Sequence, residues 1–387
     1  MKKKQLWIWQ HPNYPKFNYN LRELLPKITQ ISQSIGQVKA LITLLDKDTQ
    51  TNIKIDLFTS EIVSTSAIEG EHLQRESVRS SIRKKLDATF DKVYDKSTHH
   101  TDSLADILMD TILNTTPLEL ERLHKWHISL LSQTPSRFTK IRLGVFRDYD
   151  DMQIVSGVIG KEKVHFVGVP AKRIDNDVDA LLKYINTSDD DTYIKSAIAH
   201  LWFVTTHPYD DGNGRMARII SDYIISKDFG IEYKYFSISS AIAKDRKNYY
   251  DKLEMSQNLI DNPDLDCTAW VSWYLDRFND SLQETLDAIN RVVQKAKFWD
   301  KVRQITLNQR QLKVLSKLLE YNEGEFQGAL TTKKYVAMTK TSLATAKRDI
   351  QELVKLGCLH QIEGTQGRNI RYDRATCRFP KTTYNLS

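Results

Sequence analysis

The sequence lacks the features of an exported or membrane-embedded protein. It has three cysteines, and Cys267, Cys358 and Cys377 fit neither a disulfide framework nor a metal site of usual spacing. No apolar run approaches the length of a membrane span, and the basic residues 1–7 lack the apolar segment of a signal peptide. We therefore expect a cytoplasmic protein without a membrane partner, with its cysteines reduced.

Basic residues are also not in excess over the first 296 positions, where 39 Lys and Arg face 41 Asp and Glu. Residues 297–387 hold 17 against 8, so the whole positive balance lies at the C-terminal end. This asymmetry suggests a part that meets a polyanion, although an ordinary solvated basic face would give the same count.

Residues 306–372 have the pattern of three helices followed by a β-ribbon, which is the plan of a winged helix-turn-helix. Residues 345–353 would form its recognition helix. We expect Lys340, Lys347 and Arg348 to be available to DNA phosphates. Such modules also serve as protein-contact or dimer surfaces, so the pattern leaves duplex DNA and a homodimer both open as partners.

The most informative stretch is residues 207–218, His-Pro-Tyr-Asp-Asp-Gly-Asn-Gly-Arg-Met-Ala-Arg. A helical pattern over 191–206 ends at His207, a turn follows, and a second helical pattern begins beside Gly214. Unpaired backbone N–H groups at that helix start predict an anion site. Arg215 and Arg218 lie on one face of its first turn, which is unfavourable unless a negative group lies between or over them.

Two other segments bear on this stretch. A helical pattern over 53–68 ends in Glu69-Gly70, which places a carboxylate at the negative end of a helix dipole, where it needs a cationic partner. Residues 152–170 switch to β periodicity around Gly157 and Gly160. They predict a hairpin that is either a flap over the 207–218 loop or a purely structural element.

Residues 207–218 resemble the signature of Fic-domain proteins, His-Pro-Phe-x-(Asp/Glu)-Gly-Asn-Gly-Arg-x-x-Arg, with Tyr209 replacing Phe. Residues 65–70, Thr-x-x-x-Glu-Gly, resemble the inhibitory-helix motif of the same family. The resemblance implies a mainly α protein, with a Fic-type helical core, a β-hairpin flap and a C-terminal winged helix. We place an N-terminal helical region at 1–100, the Fic catalytic core at 101–295, and the winged-helix domain and tail at 296–387.

The resemblance also implies a protein adenylyltransferase, which moves AMP from ATP to a Ser, Thr or Tyr hydroxyl of a target protein or of itself. His207 would be the general base and Asp211 would hold Mg²⁺. The amides around Gly212, Asn213 and Gly214 would receive the charge that develops on the α-phosphate. Arg215 would bind the outer phosphates.

The resemblance implies further ATP contacts, by residues whose positions match those of family residues near the nucleotide. Ser156, Gly157 and Val158 of the flap would lie near the reacting phosphate, and the flap edge would align a target segment. Tyr249 would lie near the adenine, and Gln257 occupies another such place, where family members can carry Asn.

Glu69 pairing with Arg218 would withdraw that arginine from the γ-phosphate and so inhibit the enzyme. Two alternatives stay open. The protein could be a deAMPylase or a bifunctional enzyme in which Glu69 orients a water, or a DNA-binding regulator with a nucleotide-sensing Fic core.

Overall fold

The computed structural model describes residues 6–374 except 88, 90, 92, 94, 133–140, 158–161, 231–233, 304, 320–325, 327 and 328. The chain divides into two compact units, Met1–Thr285 and Leu286–Ser387. Both are mainly helical. Among the residues described, no helix is both long and apolar enough to cross a membrane. The domain boundaries expected from the sequence stay predictions.

The first unit is built from helices and one hairpin. In the described part of this unit the elements are α1 (Leu21–Ile42), α2 (Lys47–Ile68), α3 (Arg75–Leu86), α4 (His99–Leu113), α5 (Leu120–Leu131), β1 (Gln153–Ser156), β2 (Lys163–Val167), α6 (Ile174–Thr187), α7 (Thr192–Thr206), α8 (Asn213–Phe229), α9 (Ile238–Lys244), α10 (Arg246–Gln257) and the start of α11 (Thr268–Val302).

Helices α7 and α8 form the centre of this unit and pack against each other. Asp191 caps α7 by accepting hydrogen bonds from the backbone N–H groups of Tyr193 and Ile194, at 2.9 and 3.4 Å. Thirteen of the fifteen residues of α7 and twelve of the seventeen of α8 are buried, as expected for helices largely enclosed by others. The loop that joins them, residues 207–212, is therefore held at both ends by the most buried part of the fold.

The N-terminal arm packs onto the hairpin. The Trp9 indole N–H donates to the carbonyl of Val167 at 2.7 Å, and the Trp7 ring meets the Phe166 ring edge-on at 5.3 Å. Strands β1 and β2 pair antiparallel from Gln153↔Val167 to Ser156↔Lys163, with a register shift after Ile154. The arm thus supports the hairpin beside the α7–α8 loop.

The second unit has its own apolar core, which includes Val314, Tyr335, Ile350 and Leu359. Its other described elements are α12 (Gln309–Leu318), α13 (Thr332–Thr339), α14 (Leu343–Lys355), β3 (Leu359–Gln361) and β4 (Tyr372–Arg374). Strands β3 and β4 pair antiparallel. This element order is the one expected from the sequence, while its identity as a winged helix stays a prediction.

Several helix bounds differ from the sequence prediction. The sequence pattern over 241–257 predicts one helix, but the chain breaks at Asp245, which has φ −118° and ψ 30°. The Asp245 carboxylate accepts a hydrogen bond from the Trp273 indole N–H at 2.9 Å and pairs with Arg277. The charged pattern over 71–87 predicts a helix, but residues 71–74 precede α3. The polar run over 92–101 predicts a loop, but residues 99–101 begin α4 behind its cap Thr98. Helix α6 was not anticipated.

Candidate active site at the loop between α7 and α8

His207 ends α7 in a left-handed conformation, with φ 51° and ψ 58°. This backbone turns the chain into Pro208, which cannot continue a helix. The Nδ1 atom lies 3.2 Å from the carbonyl of Val204, which can only accept, so Nδ1 carries the proton. Burial lowers the pKa of His207 to about 4. The imidazole is therefore neutral at pH 7, with Nε2 able to accept a proton.

Arg147 holds the backbone on both sides of His207. Its Nε donates to the carbonyl of His207 at 2.8 Å, and its own backbone N–H donates to that of Pro208 at 2.9 Å. Its two terminal nitrogens donate to the carbonyls of Tyr149, at 2.6 Å, and Val169. The buried guanidinium of Arg147 thus connects the loop 207–212 to the segments that flank the hairpin through hydrogen bonds. No sequence pattern marks Arg147 for this role.

Tyr209 anchors the loop in the core. Its ring is fully buried and stacks on His127 at 3.8 Å, and its hydroxyl hydrogen-bonds His124 Nδ1 at 2.9 Å. Asn213 closes the turn, since its Oδ1 accepts from the Tyr209 N–H at 3.0 Å and its Nδ2 donates to the Tyr209 carbonyl at 2.8 Å. The two histidines at i, i+3 of α5 are therefore part of the loop's support. The extra hydroxyl of Tyr209, compared with Phe, has a hydrogen-bond partner.

The start of α8 contacts a carboxylate. Gly212 caps the helix in a left-handed conformation with φ 79°. A Cβ on Gly214 would lie 2.3 Å from Glu69 Oε1 and 3.1 Å from Glu69 Cδ. Only a glycine leaves room for this approach. The Glu69 carboxylate thus packs against the N-terminal turn of α8, where an anion is stabilised by the helix dipole.

Arg218 is buried and shares the same carboxylate. Its Nη2 donates to Glu69 Oε1 at 2.7 Å, and its Nε and Nη2 donate to the hydroxyl and carbonyl of Thr65 at 2.7 and 3.0 Å. Burial acts to lower the pKa of Arg218, but the nearby Glu69 carboxylate leaves it raised. Residues of α2 and its C-terminal cap therefore bind Arg218, the second arginine of the motif.

Arg215 has a carboxylate partner of its own, Glu71. Its Nη1 donates to Glu71 Oε2 at 2.7 Å, and the other oxygen of Glu71 hydrogen-bonds His100 Nε2 at 2.8 Å. Both motif arginines are thus neutralised by the short segment that follows α2. The sequence carries no local sign of this contact, since Glu71 and Arg215 are 144 positions apart.

Asp211 is an exposed residue of the loop between α7 and α8. Its Oδ1 accepts from the Gly212 N–H at 2.6 Å, and its carbonyl receives a hydrogen bond from His127 Nε2 at 3.1 Å. In the described chain no group of three or more His, Cys, Asp or Glu could hold a metal ion by itself. An exposed single carboxylate nevertheless fits Mg²⁺ that arrives with phosphates, because such sites use one or two protein carboxylates.

The hairpin starts and ends beside His207. Directly after β2, a Cβ on Gly168 would lie 3.4 Å from the Cβ of His207. Along the hairpin, the Ser156 hydroxyl lies 2.5 Å from His165 Nε2, and His165 Nδ1 lies 2.6 Å from Glu254 Oε2 on α10. These contacts fasten the hairpin to α10. They also give the predicted ATP contact Ser156 a partner within the hairpin.

The other predicted ATP contacts have different surroundings. Gly157 follows β1 with φ 111°, while Val158 lies outside the described residues. Tyr249 is 1% exposed, and its hydroxyl contacts His200 Nε2 at 3.0 Å and Arg218 Nη1 at 3.4 Å. Its ring is covered, so it presents no open face to an adenine here.

Gln257 is also buried, and its amide donates to the Thr205 hydroxyl in the last turn of α7 at 3.1 Å. It supports the helix that carries His207.

In the second unit, Lys340, Lys347 and Arg348 are all exposed. The described predicted residues of the first unit lie on the α7–α8 loop, on the start of α8, on the hairpin, on α10 and on the C-terminal cap of α2, and the three basic residues lie on a separate unit.

Two family models match the chain. Residues 117–225 match the Fic/DOC family, and this segment includes α7, the whole 207–218 motif and most of α8. The chain contains a Fic/DOC domain. Residues 7–88 match a domain of unknown function, DUF4172, which includes α1, α2 and α3. Both carboxylates on the motif arginines thus come from the DUF4172 segment, and both arginines come from the Fic/DOC domain.

Solved structures of similar proteins bear Fic names. A Fic family protein from Desulfovibrio desulfuricans G20 is 15% identical with a TM-score of 0.52, over 92% of this chain and 97% of that one. A Fic domain containing signaling protein from Bacteroides thetaiotaomicron VPI-5482 is 16% identical over 67% and 98%, with a TM-score of 0.48. Fic-1 from C. elegans is 16% identical over 69% and 73%, with a TM-score of 0.45. The first likeness shows a shared fold, and no curated protein sequence matches significantly.

Proposed function

We propose that this protein is an adenylyltransferase that moves AMP from ATP to a hydroxyl side chain of a protein, and that Glu69 inhibits it. The Fic/DOC domain supports transfer of a nucleotidyl group. One observation carries the finer proposal. The Glu69 carboxylate packs against Gly214 at the start of α8 and binds Arg218 at 2.7 Å, so it occupies the surroundings in which an anionic phosphate would be bound.

The base of this reaction is His207. Its neutral Nε2 takes the proton of the attacking hydroxyl, while the Val204 carbonyl holds Nδ1–H and so keeps the ring in the required tautomer. The hydroxyl oxygen forms a bond to the α-phosphorus, the bond from that phosphorus to the bridging oxygen breaks, and pyrophosphate leaves. A neutral base is available for this step because burial keeps the pKa of His207 near 4.

The charge of the reacting phosphate is received by the N-terminal turn of α8. The backbone amides around Gly212, Asn213 and Gly214 lie at the positive end of the helix dipole. Arg215 binds the outer phosphates once its guanidinium is shared with them. Asp211 would hold Mg²⁺, which supplies additional neutralisation of the phosphate charge when bound.

Inhibition follows from the geometry of Arg218. Its guanidinium is engaged by Glu69 and Thr65, which leaves the γ-phosphate without this cation. ATP that binds beside Glu69 also meets a like charge at the start of α8. Release of Glu69 removes both obstacles, and we therefore expect the wild-type protein to be weakly active.

The test is labelling with ATP that carries the label in its α-phosphate, in the presence of Mg²⁺ and cell lysate. We expect Glu69→Gly to label itself or other proteins more than the wild type, and Glu69→Gly/His207→Ala to label neither. Mass spectrometry of the labelled proteins should find AMP on Ser, Thr or Tyr. Equal labelling with and without His207 would refute the proposal.

The reverse reaction is a second candidate, favoured by the fact that carboxylates neutralise both motif arginines. An AMPylated protein needs no outer-phosphate binding, and Glu69 at the start of α8 could orient a water for hydrolysis. Incubation of the wild type with an AMPylated protein then releases AMP. The Glu69→Gly variant should lose this release while gaining AMP transfer.

DNA binding by the second unit is a separate proposal, supported by the exposure of Lys340, Lys347 and Arg348. Binding to duplex DNA should weaken as salt rises, because phosphate contacts release counterions. Removing Lys347 and Arg348 together should weaken it further. Binding that responds to neither change would show that these residues do not contact DNA.

A further inference from the structure

A second carboxylate lies in the candidate nucleotide site, on the first arginine of the motif. Glu71 uses both oxygens there, one with Arg215 Nη1 at 2.7 Å and one with His100 Nε2 at 2.8 Å. The Arg215 side chain is 5% exposed and that of Glu71 24%. A buried guanidinium thus meets a carboxylate that is itself clamped by a second side chain.

The contact is separate from the one made by Glu69. Gly70, with φ 84°, reverses the chain after α2, and the Glu71 N–H donates to the carbonyl of Ser66 at 3.0 Å. The turn presents the two carboxylates to different arginines. Hydrogen bonding from His100 lowers the pKa of Glu71, with the charge of Arg215 acting in the same direction. Glu71 is therefore ionised at neutral pH.

The Arg215 guanidinium lies directly against the Glu71 carboxylate. Among the described residues its buried Nε has no hydrogen-bond partner, and the one side-chain acceptor shown for the guanidinium is the Glu71 carboxylate. An anion that approaches this guanidinium also approaches the Glu71 carboxylate, since the two groups are 2.7 Å apart. The like charge raises the cost of placing a phosphate there.

We propose that Glu71, held by His100, is a specificity-determining residue that weakens binding of nucleotide di- and triphosphates relative to a nucleoside monophosphate. The proposal rests on the proposed function, in which Arg215 binds the outer phosphates. Glu71 acts through Arg215 and does not itself touch the reacting atoms. Its effect lies in nucleotide affinity, whereas Glu69 in addition holds Arg218 away from the γ-phosphate of bound ATP.

The experiment measures Kd for ATP, ADP and AMP by titration calorimetry with Mg²⁺, in a His207→Ala background that prevents turnover. Glu71→Gln keeps the size of the side chain and a hydrogen-bond acceptor for Arg215, but removes the charge. We expect about tenfold tighter ATP binding in this variant, the scale of one charged contact, with AMP binding unchanged. His100→Ala, which releases one oxygen of Glu71, should give a smaller change in the same direction.

Three results would overturn the inference: unchanged or weaker ATP binding by Glu71→Gln, or equal tightening of ATP and AMP. The labelling rate gives a second readout. Adding Glu71→Gln to Glu69→Gly should lower KM for ATP and leave kcat unchanged. If the His207→Ala protein binds no nucleotide, either with Glu71 or with Glu71→Gln, the proposed function fails as well. If Glu69→Gly labels proteins and Glu71→Gln changes no affinity, only the inference about Glu71 fails.

Discussion

The Glu69→Gly substitution removes one carboxylate and leaves the rest of the site in place. Glu69 is the C-terminal cap of α2, with φ −88° and ψ 5°, a conformation that glycine adopts without strain. Gly70 follows it and already makes the turn. We therefore expect the variant to fold, with Arg218 released from the carboxylate and the start of α8 open to phosphate.

The magnitude follows from the contact that is lost. The Arg218 side chain is 3% exposed and that of Glu69 31%, and their atoms are 2.7 Å apart. A hydrogen bond between charged groups contributes about 1.5–3 kcal/mol, and the partial exposure of Glu69 favours a value of about 2 kcal/mol. Since about 1.4 kcal/mol is a factor of ten, the labelling rate should rise about 30-fold.

The assay is the initial rate of AMP incorporation from α-labelled ATP at saturating ATP and Mg²⁺. Glu69→Gln should give a smaller rise, since it removes the charge but keeps an acceptor for Arg218. Glu76→Gly is a matched control, because Glu76 is an exposed acidic residue in the first turn of α3. It should leave the rate unchanged.

A Glu69→Gly rate equal to that of the wild type would refute the reasoning, provided that the variant melts as one cooperative transition. A rise of the same size in Glu76→Gly would refute it too, because the effect would then reflect loosening of this region and not release of Arg218.

Three further predictions concern the same loop. Burial lowers the pKa of His207 to about 4, and the Glu69 charge acts in the opposite direction, so Glu69→Gly should leave this pKa low. The labelling rate of the Glu69→Gly variant should therefore be flat from about pH 8 to about pH 6 and should fall only towards pH 4, as the base becomes protonated. A rate profile with its midpoint at the usual imidazole pKa would contradict this. Tyr209→Phe loses the hydrogen bond to His124 but keeps the stacked ring, so urea unfolding should show about 1 kcal/mol less stability, with labelling retained; a loss of labelling in folded protein would count against an anchoring role. Gly214→Ala places a Cβ where the Glu69 carboxylate lies, so it should displace the carboxylate and raise the labelling rate by itself. Adding Glu69→Gly to Gly214→Ala should then bring no further rise in rate. An undiminished rise would mean that alanine leaves the carboxylate in place.

Local features of the site were predictable from the sequence. The apolar period over 191–206, the turn residues after His207 and the apolar period beyond Gly214 predict a helix, a loop and a helix. Helix α7 has the predicted bounds to within a residue and α8 begins within a residue of Gly214. The Glu69-Gly70 pair predicts a helix end, and α2 ends at Ile68. These features depend on residues close in the chain, whose conformational preferences act locally.

Other features depend on contacts between distant segments. Arg147 donates to carbonyls around His207 and to Val169, and no periodicity or spacing marks it for that role. The break at Asp245 also escaped prediction, because its cause includes an ion pair with Arg277 on another helix. Propensity is a weak guide wherever tertiary contacts satisfy a polar group in this way.

By itself, the sequence determined which chemical groups are present: an imidazole at a helix end, a glycine-rich turn and two arginines on the first turn of a helix. Only the tertiary structure decided which carboxylate meets which arginine. Glu69 contacts Arg218 and Glu71 contacts Arg215 because α2 packs against α8, and the turn at Gly70 directs the two side chains differently. Pairings of this kind depend on the packing of helices about 150 positions apart, which local sequence preferences do not specify.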